Sequence, residues 1–162
     1  MSDQVAVMNQ GRFEQLGSPQ DLYYQPKSAF VAGFVGHNNR MECQVESRNG
    51  EQVQLRTGDG LGLWAQRVGA VDTGQVASLF IRPEAIEIGR SLRELPAGEP
   101  AWSASVLSVL FDGGNSTVQV REDRTGTVLQ IALPLTGRLA DLRAGEAVHF
   151  SYQPSQAWCF AA

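Results

Sequence analysis

From Met41 onward, apolar side chains recur at every second position, and that period restricts the chain to strands with one buried face. Met41, Cys43 and Val45 alternate with Glu42, Gln44 and Glu46, and after a turn at Asn49-Gly50, Val53 and Leu55 alternate with Gln52, Gln54 and Arg56. The same period returns at Val118 and Val120, at Leu129, Ile131 and Leu133, and at Val148, Phe150 and Tyr152. Short strands divided by Gly and Asp turns predict a mainly β architecture, a small barrel or a sandwich; alternation alone does not distinguish the two.

An internal repeat adds to this. The run from Gly74 through Val76-Ala77-Ser78-Leu79-Phe80-Ile81 to Pro83 matches the run from Gly145 through Val148-His149-Phe150-Ser151-Tyr152 to Pro154 in its Gly-to-Pro spacing. Each proline is followed by a resumed strand, Ala85-Ile86-Glu87-Ile88 in one case and Ala157-Trp158-Cys159-Phe160 in the other. The repeat predicts two related β-units, about residues 38 to 89 and 101 to 162, packed against each other, with Arg90 to Pro100 as the loop between them.

Before Gly36 the pattern is different. Val5 to Met8 and Phe13 to Leu16 flank Gly11 and read as a tight hairpin. Ser18-Pro19-Gln20-Asp21 reads as a helix start, because Ser18 can accept from orphan amides and Pro19 suits the first turn. Pro26 stops that helix. Ser28 can cap a second, whose Phe30, Val31, Phe34 and Val35 form an apolar face that must pack on something.

Composition excludes several functions. The 162 residues carry a net charge of -4, whereas binding through phosphates relies on clustered Lys and Arg, so nucleic acid is not an expected partner. The longest apolar runs fall far short of the roughly 20 residues needed to cross a bilayer. Cys43 and Cys159 have no C-x-x-C spacing, which fits a reduced, cytosolic setting. The single lysine, Lys27, stands between Pro26 and Ser28, not in the Gly-Lys-Ser/Thr context of a phosphate-binding loop. Val109 to Asp112 looks like a Walker B strand, but Gly113 follows, so Asp112-Gly113-Gly114-Asn115 reads as a turn. Gly58 to Leu63 fails the dinucleotide pattern and reads as a loop. His37 and His149 lack a second ligand at metal spacing, so neither a metal nor any other cofactor is expected in this chain, and no catalytic residue stands out. Trp64, Trp102, Trp158 and Phe160 read as core or interface packing. The candidate regulatory or interface residues are Arg82, Pro83 and Glu84, with Gly113, Gly114 and Asn115. The first three read either as a positioned ion pair or contact where one β-unit hands over to the next, or as an exposed turn stiffened by proline.

Ser2 to Pro19, Leu22-Tyr23-Tyr24-Gln25-Pro26 and Phe30-Val31-Ala32-Gly33-Phe34-Val35-Gly36 closely resemble the stretch that closes the nucleotide-binding domain of ABC importer ATP-binding subunits. Phe80-Ile81-Arg82-Pro83-Glu84 and the segment Gly145 to Phe160 are similar to the transport-associated OB (TOBE) domain of the same subunits. The resemblance implies that residues 1–36 are the end of a nucleotide-binding domain and its linker, and that residues 37–162 are a TOBE regulatory domain with an OB-type fold. It implies a parent ATPase whose phosphate loop, signature sequence, Walker B strand and switch histidine lie upstream, with ATP and Mg expected only there. The expected partners are a second copy in a homodimer, transmembrane permease subunits, and a small-molecule or protein regulator. The expected location is cytoplasmic, on the inner face of the membrane through the permease. Among importers, the chain is similar to the polyamine, iron and sugar group, with Phe34-Val35-Gly36-His37-Asn38-Asn39 inclining toward spermidine/putrescine-type members. It does not resemble the molybdate-binding variant. Two other readings remain open at this stage: an independent OB-type module for a small molecule, oligosaccharide or nucleic acid, and a purely structural dimerisation domain.

Overall fold

A computed structural model of the chain describes residues 4–34, 37–98, 100–112, 115–133, 139 and 141–161, with Phe111, Asp112 and Asn115 described in backbone only. The chain opens with an antiparallel hairpin of β1 (Val5–Asn9) and β2 (Arg12–Gly17). It reverses at Gln10 and Gly11, both at positive φ (52° and 79°), which matches the twist of the flanking strands. Helix α1 (Pro19–Tyr24) starts as expected: Ser18 Oγ accepts from the Asp21 amide at 3.1 Å, and the Asp21 carboxylate accepts from the Ser18 amide at 3.3 Å. Helix α2 (Ala29–Phe34) is capped by Ser28, whose Oγ accepts from the Val31 amide at 3.2 Å. The buried Gln15 side chain stitches the two together, accepting from the Lys27 amide at 2.9 Å and donating to the Gln25 carbonyl at 3.2 Å. Val7, Leu22 and Val31 form a small core for this piece. Phe30 and Phe34 stack on one another, 6.0 Å apart, on its exposed side.

The rest is β-structure in two sheets. Strands β3 (Asn39–Asn49), β4 (Gln52–Thr57), β5 (Gly62–Val68) and β6 (Val76–Ile81) lead through a 3-10 turn at Pro83–Ala85 into β7 (Ile86–Gly89). After a second 3-10 turn at Leu92–Glu94 come β8 (Ala101–Asp112), β9 (Asn115–Glu122), β10 (Val128–Leu133) and β11 (Ala147–Tyr152). A third 3-10 turn, Pro154–Gln156, precedes β12 (Ala157–Ala161). One sheet closes into a five-stranded barrel in the order β12-β5-β4-β3-β6, and the other is a five-stranded sheet in the order β10-β9-β8-β11-β7. The barrel follows the strand order of an OB fold. Buried residues of both sheets, among them Leu55, Leu63, Leu79, Val106, Val120, Ile131 and Phe150, share one continuous core.

The repeat is structural as well as sequential. In each sheet the long central strand is irregular at one place, Val45/Ser47 in β3 and Val106/Ser108 in β8. At that place the Val45 amide donates to the Gln75 carbonyl at 2.9 Å and the Val45 carbonyl accepts from Gly74 at 2.8 Å; Val106 repeats both bonds with Glu146 and Gly145 at the same distances. Gly74 and Gly145 hold φ of 88° and 90°, a conformation in which any side chain is strained.

The boundaries of the two units differ from the expected 38–89 and 101–162. Strand β7 leaves the barrel and pairs with β11, and β12 crosses the other way to pair antiparallel with β6 and parallel with β5. Each unit therefore lends its last strand to the other. The physical reason is the rigid proline turn: Pro83 and Pro154 have no amide to continue a ladder, so the chain steps out of one sheet and enters its neighbour.

Candidate functional site

Arg82 follows the last residue of β6, where the chain leaves the barrel, and β6 is buried on both faces. Its side chain turns toward the N-terminal helices. Nη2 donates to the Tyr23 carbonyl in α1 at 3.1 Å, and Nη1 donates to the Ala32 carbonyl in α2 at 3.3 Å. The guanidinium lies 4.2 Å from the centre of the Tyr23 ring and 5.3 Å from that of Trp158, within cation–π range of both. Arg82 is only 2% exposed. Burial lowers its pKa to about 10, so the group remains charged at neutral pH. The Ala32 carbonyl also accepts from Asn38 Nδ2 at 2.7 Å.

Of the two expected readings of Arg82-Pro83-Glu84, Arg82 fits the positioned contact at the handover between β-units, but not an ion pair and not an exposed turn. Arg82 is neither exposed nor paired with Glu84: among the described residues no ion pair joins the two, and the guanidinium goes to helix carbonyls instead. Pro83 is buried and opens the 3-10 turn. Glu84 is exposed and lines a cavity of about 400 Å³ with Tyr23, Tyr24, Gln156 and Trp158. Gly113 and Gly114 lie outside the described residues. Asn115 begins β9 opposite Asp112, as the turn reading requires. Tyr23, Ala32 and Trp158 were not singled out as its partners. All three are used through main chain or ring face, which residue type does not advertise; the aromatic Tyr23-Tyr24 pair was the one available signal.

Ala32 and Trp158, which contact the guanidinium, belong to a small apolar cluster with Phe80 and Phe160, and Ala29 and Val68 pack at its margin. Phe80 and Phe160 meet edge to face at 5.5 Å, and Arg40 covers the Phe80 ring at 5.4 Å. This seam joins the hairpin-and-helix piece to the barrel. Among the described residues no group of His, Cys, Asp and Glu is placed to hold a metal.

Comparison with known proteins agrees with this architecture. The TOBE domain family model matches residues 79–160, about half of the chain, from the middle of β6 to the end of the seam. The chain is 34% identical over 155 residues to the spermidine/putrescine import ATP-binding protein PotA of Rubrobacter xylanophilus, covering 94% of this chain and 39% of that protein. It is 33% identical over 156 residues to a protein of the same name from Pseudomonas aeruginosa, covering 94% and 42%. The chain thus spans about two fifths of the length of these curated relatives. Among solved structures, the cytoplasmic molybdate-binding protein ModG superposes with a TM-score of 0.64 over 76% of this chain and 96% of that one, at 13% identity, which is a likeness of fold. With the family model covering the exchanged strand β12, the proline turns and Arg82, the chain belongs to the TOBE domain family.

Proposed function

We propose that this chain is the non-catalytic, C-terminal regulatory part of the ATP-binding subunit of an ABC importer, of the spermidine/putrescine type. The observation that carries this reading is the match across 94% of the chain to PotA proteins, which includes the hairpin and helices as well as the TOBE region. Residues 1–36 then complete an ATPase domain, and residues 37–162 form the regulatory domain that meets its twin in the ATPase dimer. The exposed side of the N-terminal piece supports this. Met8, Phe13 (71% exposed), Leu16 and Phe34 form apolar surface on a piece with little core of its own, and apolar surface of that kind calls for a covering partner. The remainder of the ATPase domain would supply one. The permease subunits would hold the complex on the inner face of the membrane.

The test is made on the complete subunit encoded by the source gene. A phosphate-binding loop and signature sequence upstream, ATP hydrolysis by the purified complex, and uptake of labelled spermidine or putrescine above an empty-vector control are the expected results. Hydrolysis with uptake of a sugar or chelated iron in place of a polyamine would keep the importer and move its substrate. An upstream sequence without a phosphate loop overturns the reading.

A further inference from the structure

The seam between the helices and the barrel contains two kinds of contact that do different work. The apolar cluster of Ala32, Phe80, Trp158 and Phe160 holds the two pieces together, but burial of apolar surface is non-directional and leaves rotation about the contact weakly defined. Arg82 supplies direction. Its planar, rigid fork donates to carbonyls on two different helices, Tyr23 in α1 and Ala32 in α2, while the Tyr23 and Trp158 rings flank the guanidinium. Burying a charge is a poor route to stability, since an apolar residue of similar volume often does as well. The arrangement is better suited to specifying orientation. It is placed for that: Arg82 stands where the chain passes from one sheet to the other, so a force on the helices reaches both sheets at one residue.

We propose that Arg82 is a positioning residue that locks the orientation of α1 and α2 on the barrel, so that movement of the N-terminal piece is passed rigidly to the β-region. Locking is a property of this chain alone. Passing of movement rests on the importer reading, so the two parts are tested separately.

For the lock, amide hydrogen exchange is compared in this chain for wild type, Arg82→Met, Arg82→Lys and Phe160→Leu. Arg82→Met should raise exchange in residues 22–34 by tenfold or more and leave β3 to β6 protected. Arg82→Lys, a point charge without the fork, should recover only part of the protection. Phe160→Leu should loosen the seam and the β12 edge together. Unchanged exchange in residues 22–34, or a uniform rise across the strands, overturns the proposal; if Arg82→Met does not fold, the Lys variant decides by the same measure. For the relay, the complete subunit with its permease is assayed for substrate moved per ATP hydrolysed. A several-fold fall in Arg82→Met with hydrolysis retained is expected, and an unchanged ratio overturns the relay. Absence of ATP hydrolysis in the wild-type subunit would overturn the importer reading and leave the exchange result intact.

Discussion

The Asn39 carboxamide stands in for a strand. Its Nδ2 donates to the Gln130 carbonyl at 2.8 Å and to the Ile81 carbonyl at 3.2 Å, while its Oδ1 accepts the Gln130 amide at 2.7 Å, so it satisfies both backbone groups of Gln130 in β10. Tyr152 does the same on the other sheet. Its hydroxyl donates to the Trp64 carbonyl at 2.7 Å and accepts the Trp64 amide at 3.0 Å. Asn39→Ala should cost about 1–3 kcal/mol, the price of leaving Gln130 unpaired, read as a lower urea midpoint at unchanged slope. Glu122 makes a pH-dependent contribution. Burial works to raise its pKa, but the Thr125 hydroxyl, the Thr125 and Arg124 amides and the nearby Arg124 charge outweigh it and hold the pKa below its ordinary value. A carboxyl with a depressed folded pKa stabilises above its unfolded value, about 4.3, and loses that stabilisation as pH falls through the folded one. Melting temperature followed from pH 7 to pH 3 should fall less steeply in Glu122→Gln than in wild type. At this scale the sequence was partly legible. Ser18 and Ser28 announced their caps because capping is local, whereas the partners of Arg82 and Asn39 are carbonyls 42 or more residues away in four of their bonds, and every residue carries a carbonyl.

Among the elements, the exchange of β7 and β12 was the part that alternation could not foretell. Period 2 reports which face of a strand is buried, not which neighbour it pairs with. In β12, Ala157 to Phe160 are all buried, so even the period is lost there. The N-terminal hairpin, both helices and most of the β3/β4 and β8/β9 pairings were legible because turn chemistry fixes them within a few residues. A chain ended after Gln156 should therefore lose more than a C-terminal strand. Without β12, the edges of β5 and β6 are both unpaired and Trp158, Cys159 and Phe160 leave their clusters. The expected result is a chain that aggregates or shows no cooperative thermal transition, in contrast to one trimmed by residues 1–4. Cooperative unfolding of the shortened chain near the wild-type temperature would mean that the barrel closes without its borrowed strand.

For the whole molecule, the Gly-Lys-Ser/Thr context of a phosphate-binding loop is not in this sequence. Isothermal calorimetry with Mg-ATP and this chain should give no saturable heat, and micromolar binding would show a nucleotide site that the sequence does not reveal. The borrowed strand also sets a timetable for synthesis. The barrel has its other four strands once Ile81 has emerged, but the fifth, β12, begins some 75 residues later. At roughly 5–20 residues per second on the ribosome, that is about 4–15 s during which β5 and β6 stand open to solvent and to other nascent chains. Slow decoding anywhere between β7 and β12 prolongs that exposure, so synonymous codon choice in that interval bears directly on how much of this protein reaches its closed form.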